Sequence, residues 1–239
     1  MDSRPPVKGA SELLGLTPAE WTAVTLSLRV ALWAVALSLP FGVALGWLLA
    51  RHSFRGKILV ETLVNLTLVL PPVVTGYLLL RLFGRQGWIG GWLESALGVQ
   101  IAFTWWAAAI ASAALGFPLM VRAIRLAFQG VDRKLEEAAR SLGAGRVDTF
   151  LSISLPLARP GIIAGAVLAF ARSLGEFGAT ITVAGNIAGE TRTLPLAVFT
   201  EMNRAGGGAS STRLAIVAVL LAAAALAISE WLERRGRPV

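Results

Sequence analysis

A chain of 239 residues that is 55% apolar and only 15% charged, with a mean hydropathy of +0.68, lacks the polar surface of a soluble domain, where about a quarter of residues are charged. Its net charge of +8 does not mark a nucleic-acid binder, because the basic residues lie between apolar stretches and form no face interleaved with stacking aromatics. With no cysteine, disulfides, thiolate metal sites and cysteine nucleophiles are excluded.

Residues 1–20 are mixed and polar, with Pro5, Pro6 and Pro18, and lack the apolar core of a signal peptide. We expect them to form an extension outside the membrane, the first span acting as its own insertion signal. Crossing about 30 Å of hydrocarbon takes about twenty apolar residues, and five stretches qualify. They are 22–50 with Pro40 inside, 58–83 interrupted by Pro71 and Pro72, 101–124 with Pro118, 160–183, and 209–231. Prolines are tolerated mid-span because neighbouring helices and local adjustments re-satisfy the freed carbonyls. Pro71-Pro72 with Gly76 reads as a kink or partial unwinding. The segment 184–211 reads as a loop around a short helix over 194–203, in which Pro195 begins a gate-like or partner-facing helix. The fold class is therefore all-α: one polytopic transmembrane bundle of about five spans over 21–239.

Lys and Arg orient the bundle. Arg51, Arg55 and Lys57 follow the first span; Arg125, Arg133, Lys134, Arg140, Arg146 and Arg159 lie between the third and fourth; Arg234, Arg235 and Arg237 form the tail. Five crossings put these three groups on one side. Arg85, Arg192 and Arg204 fall on the other, together with Arg4 and Lys8. The positive-inside rule then predicts an N-terminus outside and a C-terminus in the cytoplasm. Trp21, Trp88, Trp92, Trp105, Trp106 and Trp231 fall near span ends, as an aromatic belt would, and Arg29 is expected to snorkel to the outer interface.

The segment 130–157 is the one sizeable polar stretch expected inside the cell. Asp132 is placed to cap a helix whose first turn carries Glu136 and Glu137. Leu135, Ala138, Ala139 and Leu142 recur at helical spacing, and Gly143 is placed to end the helix in a left-handed turn. A second short helix follows, with Val147, Phe150 and Leu151 on one face, and Pro156 is expected to stop it before the fourth span. Amphipathicity alone allows two readings: a pair of helices lying on the lipid surface, or docking into a groove of a soluble partner.

Inside the membrane, Arg172 and Glu176 are four residues apart, on one helix face if the fourth span is continuous. They read either as a structural ion pair or, with Thr180, as candidates for an anion pathway or its gate, where binding must be weak enough for release. Thr180 and Thr182 could offer hydroxyls to an oxyanion or bond back to the helix. No phosphate-binding loop is present, since Gly56-Lys57 lacks the upstream glycine spacing. His52, the single histidine, has no partner for a metal site. No catalytic residue, metal or cofactor is called for, and the chain is not expected to hydrolyse ATP. A stand-alone secondary transporter would want inverted repeats or a row of titratable groups, and neither is evident.

Glu137-Ala138-Ala139, then Gly143 after three residues, then Ile153-Ser154-Leu155-Pro156 after nine more, resembles the EAA signature of ABC-importer permeases. Over about 21–235 the chain is similar to molybdate ABC-transporter permeases, through LVLPPVVTGYLLL (68–80), GFPLMVRAIRLAF (116–128), ARSLGEFGATIT (171–182) and GNIAGETRTLPLAVF (185–199). Sulfate, thiosulfate and tungstate permeases share part of this pattern. The resemblance implies a homodimer of permeases in the cell membrane, a cytoplasmic dimer of ATPase subunits, and a periplasmic or extracellular oxyanion-binding protein. It implies that Glu137, Ala138, Ala139 and Gly143 contact the ATPase, and that Ile153, Leu155 and Pro156 lead back into the membrane.

Overall fold

The computed structural model describes residues 15–236, so most of the N-terminal extension and Arg237 lie outside the described residues. Among the described residues every regular element is helical: α1 (Pro18–Arg51), α2 (Lys57–Val69), α3 (Pro72–Phe83), α4 (Trp88–Leu97), α5 (Trp105–Gln129), α6 (Arg133–Ser141), α7 (Arg146–Thr149), a π-turn (Phe150–Ser154), α8 (Leu155–Leu174), α9 (Gly178–Val183), α10 (Leu194–Met202) and α11 (Gly208–Gly236). Thr17 opens α1 with a reciprocal cap: its side chain accepts from the Glu20 N–H, and Glu20 accepts from the Thr17 N–H. Pro18 follows in the first turn, where its missing N–H costs nothing. Helix therefore begins inside the stretch expected to be extension.

Four segments are long and apolar enough to cross a membrane: α1, α5, the continuous run 146–174, and α11 through Ile228. The expected second span is broken at the two prolines that interrupt it in the sequence. α2 and the stretch from Pro72 to Leu97 meet at 114°. At 13 and 12 residues, α2 and α3 each reach only about 20 Å at 1.5 Å per residue, short of the hydrocarbon thickness. Pro71 and Pro72 cause the break: neither can donate to the preceding turn, and each drives the residue before it out of the helical region. Leu70 and Pro71 accordingly carry ψ near 138° and 134°.

Whether this broken pair counts as a crossing follows from its neighbours. Ser38 of α1 lies beside Met120 of α5. Further along both helices, a Cβ on Gly46 would fall 2.7 Å from Ile124, and Arg51 donates to the Val131 carbonyl at 2.8 Å. α1 and α5 thus run parallel, so residues 57–97 must return the chain from one end of the bundle to the other. α8 runs back along α5, pairing Gly161 with Ala127, Gly165 with Ala123 and Ala169 with Gly116. α11 starts beside the start of α1, where Arg213 meets Glu20. The described residues thus hold four membrane-spanning helices, or up to five if the bent pair counts as one span.

α5 is the centre of the packing, with α1 on one side and α8 on another. Small residues allow the approach. A Cβ on Gly42 would sit 2.9 Å from the Met120 sulfur, and one on Gly161 would run into the Ala127 Cβ. In lipid, where apolar burial drives little association, such close backbone contact supplies the packing energy. One core joins Met120, Ile124, Phe128, Ala158, Ile162 and Ala169 near the basic end. A second joins Leu26, Val30, Ala107, Ala111, Ala179 and Val183 at the other.

Candidate functional site

Three polar constellations interrupt this apolar bundle. The first is at the basic end. Asp132 caps α6 by accepting from the Lys134 N–H at 2.9 Å. Gly143, at φ +94°, ends it in the left-handed turn that a residue without Cβ adopts at no steric cost. The acidic residue turned inward is Glu136, not Glu137. Glu136 is buried, accepts from the Ser154 hydroxyl at 2.6 Å, and pairs with the Arg51 guanidinium at 3.0 Å. α6 is thereby fastened to the end of α1 and to the start of α8. Sequence reasoning placed Glu136 only in the first turn; its burial depends on Arg51, 85 positions upstream, and no local spacing signals that.

The expected apolar face of α6 is turned away from the bundle. Leu142 is 90% exposed and Leu135 48% exposed, and Val147 on the next turn is 72% exposed. Glu137 and Ala138 are exposed and Ala139 is half-buried. Phe150 instead turns in, packing edge-on against Trp47 at 5.3 Å and beside Phe128 at 6.0 Å.

Pro156 does not stop the second short helix. α7, the π-turn and α8 form one run, with Ile153 and Leu155 half-buried along it. The wide turn takes up the proline: the Leu155 N–H reaches back five residues to the Phe150 carbonyl, which spares the carbonyl that the Pro156 ring would strike.

The second constellation surrounds Arg172 and Glu176. They pair at 2.9 Å, but not along one continuous helix: α8 ends at Leu174, and Glu176 lies in the break before α9. The expected span 160–183 is therefore two helices. Glu176 is buried, and its second oxygen accepts from the Ala179 N–H at 2.9 Å, capping α9. This break abuts the first one. A Cβ on Gly178 would lie 2.9 Å from Pro72, and one on Gly76 would lie 2.7 Å from the Ala179 carbonyl. Thr180 and Thr75 are buried with hydroxyls that have no hydrogen-bond partner, whereas the Thr182 hydroxyl donates back to Gly178 at 2.9 Å. Two discontinuous helices meeting at a buried carboxylate and two unsatisfied hydroxyls make a polar, non-helical patch inside a membrane bundle, as in transporters whose unwound helices form the substrate site.

The third constellation was not anticipated. Arg125, expected in the polar loop, lies within α5 and pairs with Glu61 of α2 at 2.9 Å. Arg122, one turn earlier, and Asn65 line the same cavity of about 320 Å³. Arg29 covers the Trp105 ring at 3.9 Å from its centroid, a cation–π contact. Among the described residues no His, Asp and Glu cluster could hold a metal ion.

Residues 42–238 match the family described as the binding-protein-dependent transport system inner membrane component. The chain is 57% identical over 222 residues to the molybdenum transport system permease protein ModB of Escherichia coli, covering 93% of this chain and 97% of that one. The chain belongs to this permease family. Against the ModB protein of Haemophilus influenzae it is 50% identical, covering 90% and 94%. The sulfate transport system permease protein CysT of Escherichia coli is 38% identical, covering 83% of this chain and 72% of that one.

Among solved structures, the permease chain is similar in fold to an inward-facing methionine ABC transporter MetNI (TM-score 0.65, 16% identity, 96% of this chain and 100% of that one). It is also similar to an amino acid ABC transporter (TM-score 0.62, 20% identity, 94% and 97%). The protein is a multi-pass inner-membrane permease subunit and not itself the hydrolytic component.

Proposed function

We propose that this permease forms the membrane pathway of an ATP-driven importer for a tetrahedral oxyanion, molybdate or tungstate. Two copies would enclose the pathway about a two-fold axis, since five crossings can hardly surround a channel and also cover themselves. Two ATPase subunits sit below, and a periplasmic or extracellular binding protein delivers the anion from above. The basic ends of α1, α5 and α11 face the cytoplasm, by the excess of Lys and Arg there.

The observation that carries the reading is the EAA segment. Its apolar side chains Leu135, Leu142 and Val147 point away from the bundle, while Glu136 holds the same helix to two membrane crossings. A surface built this way accepts a soluble partner's groove and passes its motion into the spans. Glu137, Ala138, Ala139 and Gly143 take the ATPase contact; Ile153, Leu155 and Pro156 carry the displacement into α8. ATP binding closes the ATPase dimer, draws the two α6 helices together, and rocks the spans from inward-open to outward-open. The permease supplies the two-state element and the ATPase supplies the bias. Arg172, Glu176 and Thr180 stand on the pathway or its gate. Arg172 contributes positive potential, while Glu176 keeps the site from holding a dianion too tightly for conduction.

The sulfate permease relative at 38% identity supports sulfate or thiosulfate as the second reading. Uptake by the complete transporter in proteoliposomes, with its binding protein, decides between them. Molybdate and tungstate uptake that requires ATP and exceeds sulfate uptake is expected. Uptake by the permease alone, driven by an ion gradient, would overturn the assignment to an ATP-driven importer.

A further inference from the structure

We infer that the cavity between α2 and α5 is a second oxyanion site, in which Arg122 is the residue that holds the anion. The inference rests on the oxyanion pathway proposed above and adds a stage to it. Arg122 and Arg125 are three residues apart, so they share a face of α5 and line the same cavity with Asn65 and Glu61. Arg125 is neutralised by Glu61 at 2.9 Å. Arg122 has no ion pair or hydrogen bond among the described residues. The cavity therefore carries one uncompensated positive charge, on a guanidinium whose planar fork suits an oxyanion. The Asn65 amide spends one N–H on the Glu61 carbonyl at 2.7 Å, and its second N–H is free to donate.

Position argues the same way. Arg122 is seven residues before the end of α5 at Gln129, or about 10 Å into the span at 1.5 Å per residue. An unpaired Arg at that depth is costly against lipid, about 2.5–3.5 kcal/mol at a span's centre on insertion scales, and such residues face a water-filled cavity or an ion path. Its height relative to the first site is also fixed. The neighbouring Ala123 packs against Gly165 of α8, and Arg172 is seven residues further along that helix, again about 10 Å. Arg172 and Arg122 thus stand at two successive depths. The outer one is balanced by its own carboxylate at 2.9 Å, and the inner one has no such partner. Two weak sites in series suit conduction better than one tight site, and the inner, more cationic one would receive the dianion as the outer one lets go.

The test compares wild type, Arg122→Gln and Arg122→Lys in the complete transporter, reconstituted with its ATPase and binding protein, using tungstate as the probe. Stimulated ATP hydrolysis and tungstate uptake are measured together. Loss of a charged hydrogen bond predicts uptake per ATP reduced about tenfold or more in the glutamine variant, with ATP hydrolysis retained and the lysine variant recovering most of the loss. Unchanged uptake per ATP in Arg122→Gln overturns the inference and leaves the importer assignment standing. Wild-type complex that moves no oxyanion removes the pathway itself.

A lipid phosphate is the other source of the same chemistry. A phospholipid found by native mass spectrometry on wild type but not on Arg122→Gln, with uptake per ATP unaltered, also overturns the inference. Should the glutamine variant fail to assemble, Asn65→Ala in the same cavity takes its place. A fall of about threefold or more, the lower range for one lost hydrogen bond, supports the site, and no change overturns it.

Discussion

Glu136 and Arg51 meet at 3.0 Å where the EAA helix crosses the end of α1, with side-chain exposures of only 11% and 7%. The motif's own glutamate, Glu137, is the neighbour that faces outward. Two adjacent carboxylates thus have separate tasks. One fastens the helix to the bundle, and the other is the one we propose for the partner contact.

Substitution separates them. Glu136→Ala leaves the Arg51 guanidinium buried without its counter-charge, and removing one member of a buried pair costs about 3–5 kcal/mol. We expect a lower thermal midpoint for the purified permease and reduced assembly in the membrane. Glu137→Ala removes an exposed side chain and leaves the thermal midpoint of the permease alone unchanged. It lowers uptake and partner-stimulated ATP hydrolysis.

The exposed apolar side chains make a prediction that does not involve stability. Leu142→Glu places a charge on a position that is 90% exposed in the single chain, so folding is unaffected. Loss of one apolar anchor at an interface is worth about 2 kcal/mol, or about thirtyfold in affinity. Co-purification of the ATPase subunit should fall accordingly, while the amount of permease in the membrane stays constant.

Two glycines distinguish strain from crowding. At Gly143 a Cβ would meet nothing within 4 Å, but φ is +94°, so Gly143→Ala costs about 1–2 kcal/mol through backbone conformation alone. It displaces α7 relative to α6, and we expect lower coupling together with a modest fall in the permease's thermal midpoint. At Gly76 the backbone is ordinary, and the Cβ would lie 2.7 Å from the Ala179 carbonyl and 2.8 Å from its Cα. Gly76→Ala must separate α3 from α9, at about 1–3 kcal/mol for overpacking. Reduced thermal stability and altered uptake together are expected there.

Arg172→Gln tests the proposed gate. It leaves Glu176 buried with one partner fewer, the Ala179 N–H remaining at 2.9 Å. We expect an assembled complex in which ATP hydrolysis persists but uptake is lost or uncoupled. Normal uptake by an assembled Arg172→Gln complex would reduce the pair to a structural bond.

Much of this bundle is legible in the chain because lipid imposes a simple rule: long apolar runs, separated by basic loops, become crossings. α1, α5 and α11 follow it closely. Asp132 and Gly143 are also readable, since a cap and a left-handed turn depend on residue type at a fixed place. Where proline and glycine meet tertiary contacts, the sequence is less complete. Pro71-Pro72 reads as a kink, but the 114° size of the break is not legible, since Gly76 and Gly178 let α3 and α9 close over it. Pro156 stops nothing because the turn before it widens by one residue. The second break, at Gly175, is not legible because Arg172 and Glu176 stand four residues apart, the spacing of one continuous helix face; only Gly175 and Gly178, on either side of Glu176, mark it. Glu136, Arg122 and Glu61 could not be assigned from spacing, since the partner or cavity that gives each its meaning comes from another crossing.

In the proposed mechanism, force reaches the bilayer through α6. Because the chain contains no cysteine, Ala138→Cys introduces a single thiol, and bifunctional crosslinking in intact cells reports its neighbour without background. A crosslinked product containing the ATPase subunit is expected, with a yield that differs between ATP-bound and nucleotide-free states. Efficient labelling of that thiol with no ATPase captured in any nucleotide state would contradict it.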